Sequence, residues 1–216
     1  MLKLYGYWRS SASYRVRIAL ALKGLRYEYV AVNLRQGEGE QFGAAYRAVN
    51  PQSRVPTLEI DGLRLWQSSA IIEYLEERFA QPPLLPSGPA GRARVRALAA
   101  LIVADMQPLQ NQSITRYLQG PLHLDELSVQ RWLHEWMRRG FEALETHLAG
   151  EAQSGHFCHG DTPGLADVML VPQCYAAQRF GFAFDHYPTV ARIHAQCEAL
   201  PAFQQARPEA QPDAVG

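Results

Sequence analysis

Hydrophobic and polar positions change period several times along this chain, and the changes mark out its elements. Leu2-Lys3-Leu4-Tyr5-Gly6-Tyr7 is a short apolar run that predicts a strand, Trp8 to Ala12 reads as a turn, and Ser13 to Lys23 predicts a helix closed by Gly24. Tyr27 to Val32, rich in aromatic and branched residues, predicts a second strand. Residues 35–50 are mixed and punctuated by glycine, as in a loop with a short helix. Thr57 to Ile60 and Leu63 to Trp66, joined by Asp61-Gly62, predict a hairpin, because Asp-Gly suits a tight turn that needs positive φ. A further helix is expected from Ser68 or Ser69 through Glu77.

Strand, helix, strand, then strand, strand, helix is the order of a thioredoxin-like domain, expected over residues 1–80. Pro56 opens the third strand, where a missing N–H is tolerated. Residues 81–89 contain four prolines in nine positions, so neither helix nor strand can run through them, and they predict a linker. Beyond it strand signals vanish, and residues 90–216 predict an all-helical domain. Val95, Leu98, Ala99, Ile102 and Met106 keep helical spacing, as do Leu133, Met137, Phe141, Leu144 and Leu148. Pro108 should bend or end the first of these helices. Leu165 to Gln178 predicts another, bent or interrupted at Pro172. If Gly164 caps it, Asp167 falls at the third helical position and can accept from the cap backbone, a structural role.

Composition narrows the function. The 216 residues suffice for a proper core, and 21 basic against 21 acidic side chains leave no basic excess for nucleic acid. The N-terminus has no basic segment leading into an apolar one, and no apolar run approaches a membrane span, so a soluble, cytoplasmic protein is expected, with no membrane partner. Cys158, Cys174 and Cys197 are odd in number and lack C-x-x-C spacing, which fits a reducing compartment. His156, Cys158, His159 and Asp161 cluster within six residues, yet adjacent ligands on a short glycine-flanked loop rarely close a tetrahedron. No metal is expected.

The chemistry points to the first strand–helix junction. There the opening N–H groups of a helix lack internal partners and carry partial positive charge, so an anion is stabilised. Ser10, Ser11 and Ser13 stand at that junction, either as a plain helix cap or as hydroxyl donors to a ligand. Disulfide exchange is excluded at this position, because Ser10-Ser11-Ala12-Ser13 stands where dithiol thioredoxins carry C-x-x-C.

The run from Arg9 to Leu20 resembles the signature of zeta-class glutathione transferases, the family of maleylacetoacetate and maleylpyruvate isomerases. Asn50-Pro51, Val55-Pro56-Thr57, Gln67-Ser68-Ser69-Ala70-Ile71, Gln107 to Asn111, Gly160 to Pro163 and Leu165-Ala166-Asp167 match that family in order, so the resemblance spans nearly the whole chain. One departure is Ala12, where most members carry Cys. The resemblance implies glutathione as cofactor, Ser10 as the hydroxyl facing its sulfur with Ser11 beside it, and a cis Val55-Pro56 peptide that turns the Val55 backbone toward the cysteinyl part. It further implies Gln67 and Ser68 on the γ-glutamyl carboxylate, Gln41 at the glycyl end, and Gln107 and Asn111 lining the same cleft. On their own, the last two read as polar residues of a helix face.

Physical magnitudes make this chemistry feasible. Lowering a thiol pKa of about 8.5 by two units needs about 2.7 kcal/mol of thiolate stabilisation. One hydrogen bond to an anion supplies roughly 1.5–3 kcal/mol and a helix N-terminus roughly 0.3–2, so no catalytic base is required. In the family, thiolate addition to a maleyl double bond, rotation and elimination isomerise the substrate. Arg9 and Arg179 are then implied in binding its carboxylates, guanidinium being planar and permanently charged; alone, either reads as a solvated arginine. The expected activity is glutathione-dependent conversion of maleylacetoacetate to fumarylacetoacetate by a homodimer. Two alternatives stand beside it: a maleylpyruvate isomerase, whose family members carry His where this chain has Gln107 and two arginines where it has Gln112-Ser113, and a transferase that leaves glutathione on the product. Trp8-Arg9 resembles the maleylpyruvate members. Arg15 and Arg17 are expected to flank the helix core.

Overall fold

The computed structural model describes residues 2–214. The expected domain limits at Met1 and at Val215–Gly216 lie outside them. The chain packs as two units, one running to Pro83 and resuming at Ala199, the other spanning Leu84–Glu198. The division at Pro83 falls inside the proline-rich stretch. The segment from Ala199, which the sequence groups with the helices before it, packs instead with the first unit.

The first unit is built on a four-stranded sheet in the order β2-β1-β3-β4, comprising β1 (Lys3–Gly6), β2 (Glu28–Ala31), β3 (Thr57–Ile60) and β4 (Leu63–Trp66). β1 lies parallel to β2, with Leu4 opposite Tyr29, and antiparallel to β3, with Tyr5 opposite Thr57; β3 and β4 form the hairpin. Asp61 and Gly62 both adopt positive φ, at 50° and 80°, as their tight turn demands. α1 (Ser11–Leu22) follows β1, and Leu4, Val16, Ile18, Leu20 and Leu58 are wholly buried. Its start lies two residues earlier than the apolar spacing predicts, because Ser10 serves as the N-cap and its Oγ accepts from Ser13 N–H (3.2 Å). A 3-10 turn at Glu40–Phe42 and the short α2 (Ala44–Arg47) occupy the mixed region, and α3 (Ser68–Arg78) follows the hairpin. Buried Lys23 joins α1 to the end of this unit: its Nζ donates to Glu76 Oε2 (2.8 Å) and to the carbonyls of Phe79 (2.7 Å) and Pro82 (3.0 Å).

In the second unit, α4 (Pro89–Ala100) widens into a π-helical stretch, Leu101–Met106, and then tightens into a 3-10 turn, Gln107–Gln110. The reason is Pro108, whose ring would strike the carbonyl four residues back in a continuous α-helix. Gln107 N–H accordingly reaches Ile102 O, five residues back. α5 (Gln112–Gln119), the 25-residue α6 (Glu126–Gly150), α7 (Leu165–Arg179) and α8 (Pro188–Glu198) complete the unit. Gly140 on α6 admits the π-helical stretch, since a Cβ there would lie 2.2 Å from Met106 Cγ and Sδ. α7 runs through Pro172, and its capping follows expectation: Gly164 N–H donates to Asp167 Oδ2 (2.8 Å), while Oδ1 takes Cys158 N–H (2.9 Å). Among the described residues no helix is long and apolar enough to cross a membrane.

α9 (Pro201–Ala206) belongs to the first unit and packs on α1. Arg17 makes the bond between them: its Nε donates to Ala206 O (2.9 Å) and its Nη2 to Trp8 O (2.9 Å). Arg15 and Arg17, expected beside the core, are 2% and 1% exposed and lie within it.

Candidate active site

Three sequence signals converge at one end of the sheet. β1 ends there and hands over to α1 through Tyr7-Trp8-Arg9-Ser10. Because Tyr5 pairs with Thr57 and Thr57 with Trp66, the residues just before β3 (Val55-Pro56) and just after β4 (Gln67-Ser68) lie at that same end. The register alone brings together Ser10, Ser11, Val55, Gln67 and Ser68.

The turn is held on all sides. Ser10 N–H donates to Tyr7 O (3.0 Å) and Tyr7 N–H to the Oγ of buried Ser13 (3.4 Å). Trp8 N–H donates to Asp213 Oδ2 (3.0 Å), and Arg17 binds both Tyr7 O (3.5 Å) and Trp8 O. Ser13 is thereby a structural hydroxyl. At the head of α1, Tyr14 N–H bonds Ser10 O and Ser13 N–H bonds Ser10 Oγ, which leaves Ser11 and Ala12 N–H without partners among the described residues. The two free amides and the half-buried hydroxyls of Ser10 and Ser11 are the donors that this helix start can offer an anion. Ser10 Oγ accepts the cap bond, so its own proton remains available to donate. Arg9, half-buried, lies with its guanidinium 5.1 Å from the centre of the Trp8 ring.

Val55-Pro56 is cis, as the resemblance implies. Arg54 O, just before it, accepts from Asn50 Nδ2 and from Tyr46 Oη (both 2.8 Å), fixing the approach to Val55. Gln67 caps α3 at φ 67° and ψ 116°, a combination outside the left-handed well that costs on the order of 1–3 kcal/mol and persists only where surroundings enforce it. Its Nε2 bonds Gln52 Oε1 (2.9 Å), whereas Ser68 is buried at the first position of the helix. Gln41 is 4% exposed, packed against Gly39 with its Oε1 unpartnered, so its amide is not on the open surface.

Gln107, Asn111 and Arg179 belong to the second unit. The segment bearing the first two is pinned by its neighbours: Met106 against Gly140, Leu109 O to Trp132 Nε1 (2.9 Å), and Gln110 Oε1 to Gln173 Nε2 (3.0 Å). With Met106 and Gln110 buried, Gln107 and Asn111 stay half-exposed. Arg179 ends α7, exposed, with its guanidinium 4.6 Å from the centre of the Phe180 ring.

The His156–Asp161 loop is engaged otherwise. Cys158 is buried, its thiol pKa pushed up by desolvation; its carbonyl and His159 Nδ1 both meet Arg94, and Asp161 Oδ1 accepts His156 N–H. Among the described residues no three His, Cys, Asp or Glu side chains are placed to hold a metal ion. Sequence reasoning missed Asp213, which meets Trp8 205 residues away, and Arg17, which meets Ala206 189 residues away besides the nearby Tyr7 and Trp8 carbonyls. No local pattern signals either.

A thioredoxin-like unit with a serine at the head of its first helix, joined to a helical unit, defines the class. Residues 1–77 match the family described as "Glutathione S-transferase, N-terminal domain" and residues 128–206 the one described as "Glutathione S-transferase, C-terminal domain". The chain belongs to the glutathione S-transferase family, in its zeta class. It is 52% identical over 213 residues to the maleylacetoacetate isomerase of Pseudomonas aeruginosa, covering 98% of each chain. The holo structure of a zeta-class maleylpyruvate isomerase superposes with a TM-score of 0.95 at 46% identity, over 99% of this chain and 100% of that one. A maleylacetoacetate isomerase from Anaeromyxobacter dehalogenans 2CP-1, solved with bound GSH, gives 0.88 at 49% identity over 100% and 98%. The same protein was also solved with bound dicarboxyethyl glutathione and citrate.

Proposed function

We propose that this chain is a glutathione-dependent isomerase that converts maleylacetoacetate to fumarylacetoacetate. The observation that carries the reading is the pair of free amides, Ser11 and Ala12, beside the Ser10 hydroxyl at the head of α1. These donors fit a thiolate. The Val55 backbone would hold the cysteinyl part of glutathione and Gln67 and Ser68 the γ-glutamyl carboxylate, while Gln107 and Asn111 keep only the role that the family resemblance gives them. Gln41, buried under Gly39, would reach the glycyl end only by swinging out. Held as thiolate, glutathione would supply the nucleophile for a reversible addition to the cis double bond, so that rotation about the single bond and loss of the thiolate give the trans isomer. Ser10 would donate its proton toward the sulfur and, with Ser11 and the free amides, would keep it ionised without removing a proton itself. Arg9 and Arg179 would bind the substrate carboxylates and oppose the negative charge that develops on the carbonyl side. Arg9 is confined for this task, since the backbone of the preceding Trp8 is held at both N–H and C=O.

A catalytic thiol is not consumed. Glutathione at one-hundredth of the substrate concentration is therefore expected to support complete conversion, with free thiol constant by titration. Product that accumulates as a glutathione adduct in step with thiol loss would establish a conjugating transferase instead. The maleylpyruvate reading is kept on one observation, Trp8-Arg9 at the site; consumption of the two maleyl substrates side by side, with and without glutathione, decides between them.

The assembly is proposed to be a homodimer in the cytoplasm. β4 is an edge strand, and exposed Leu63 and Trp66 on it, with Phe42, offer apolar surface for a second copy. Cys158, Cys174 and Cys197 are all unpaired, as suits a reducing compartment. Light scattering should return twice the chain mass of 24.2 kDa. A monomer that remains fully active would sink the dimer, and recovery in a secreted or membrane fraction the location.

A further inference from the structure

Arg15 is a buried cation with almost nothing to hold. It is 2% exposed, its Nη1 donates to Ser68 Oγ (3.4 Å), and its Nε and Nη2 have no hydrogen-bond partner among the described residues. Among the described residues no carboxylate offsets its charge, and burial pushes its pKa down to about 10. Arg17, two residues on, is equally buried but spends its guanidinium on three carbonyls. Leaving a buried guanidinium half-satisfied is costly, and this one abuts the N-terminus of α3, where the helix dipole is itself positive. Two positive features face each other with no anion between them.

The geometry fixes a direction as well. A hydroxyl has one proton, and Ser68 Oγ accepts from Arg15, so that proton must point to another acceptor.

We propose that Arg15 is the positioning residue of the γ-glutamyl subsite: its buried charge waits for the α-carboxylate of glutathione, and through Ser68 Oγ it aims the serine proton at that carboxylate. The inference rests on the glutathione reading above and adds to it a residue that acts from behind the binding surface. Apo stability is thereby traded for affinity. The arginine is destabilising until a carboxylate arrives.

The test uses wild-type protein, Arg15→Met and Arg15→Lys, titrated calorimetrically with glutathione and with glutathione whose γ-glutamyl α-carboxylate is converted to an amide. The wild type should prefer the carboxylate form about ten- to a hundredfold, as for a charge-assisted hydrogen bond. In Arg15→Met that preference should shrink by about tenfold or more while the melting temperature without ligand stays level or rises. Arg15→Lys, which keeps the charge, should recover most of the preference. A preference that survives in Arg15→Met overturns the inference. So does an equal loss for both ligands, or a methionine variant that fails to fold, since the guanidinium would then be serving the fold itself. Wild-type protein that binds neither ligand overturns the glutathione reading, and this inference with it.

Discussion

Replacing Ser10 with alanine is expected to raise the pKa of bound glutathione and to lower turnover at pH 7 by about ten- to a hundredfold, the worth of one charge-assisted hydrogen bond. The sign follows from the ionised species. A raised thiol pKa leaves less thiolate at neutral pH, so turnover should recover partly as pH increases, and ultraviolet thiolate absorbance reports the shift directly. Ser10 also caps α1 through Ser13 N–H, and alanine at a cap costs about 0.5–2 kcal/mol of stability. Glycine at that position costs only a few tenths of a kcal/mol yet equally lacks the hydroxyl. Ser10→Gly should therefore match Ser10→Ala in turnover and exceed it in stability. Arg9→Ala and Arg179→Ala should leave the bound-thiol pKa nearly unchanged and lower kcat/KM for a maleyl substrate, with little effect on a small uncharged electrophile. If Ser10→Ala left thiol ionisation unaltered while Ser11→Ala abolished it, the two serines would exchange roles.

Arg17→Met should be the most destabilising single substitution near the site. It removes the donor to Trp8 O and Ala206 O, and each buried carbonyl left unpaired costs about 1–3 kcal/mol, so roughly 2–6 kcal/mol is expected. Against a total stability on the order of 5–15 kcal/mol, that is a large fraction. Two consequences can be measured separately. The urea midpoint should fall, and the segment from Ala199, which α9 anchors to α1, should become sensitive to protease before the rest of the chain opens. Asp213 should lose its hold on Trp8 N–H and Tyr29 Oη in the same step. A midpoint equal to that of the wild type, with the C-terminal segment still protected, would show that Arg17 is not the clamp.

The two arginines of α1 show where sequence reading stops. Their spacing within an apolar helix was visible, but arginine is rarely buried, and nothing local distinguishes a cation at the rim of a core from one inside it. The partners decide. For Arg17 they are carbonyls of the preceding turn and of Ala206, and for Arg15 the hydroxyl of Ser68. Residues 101–110 make a similar case. Pro108 announced a disturbance of the helix but not its form, a π-helical widening whose Met106 packs against Gly140 of α6.

The strand–helix order of the first unit, the hairpin at Asp61-Gly62, the helical second unit and the serine-bearing junction were legible in the chain. Each of these is written in residues within a turn or two of one another, where period, caps and backbone preferences act directly. Packing alone fixes that the last residues return to the first unit, that Asp213 holds the turn carrying Arg9 while Arg17 ties that turn to Ala206, and that Arg15 is buried behind Ser68. Contacts across some 50 to 200 positions leave no periodic trace in the chain, because the favourable burial that draws such groups together depends on how whole elements pack.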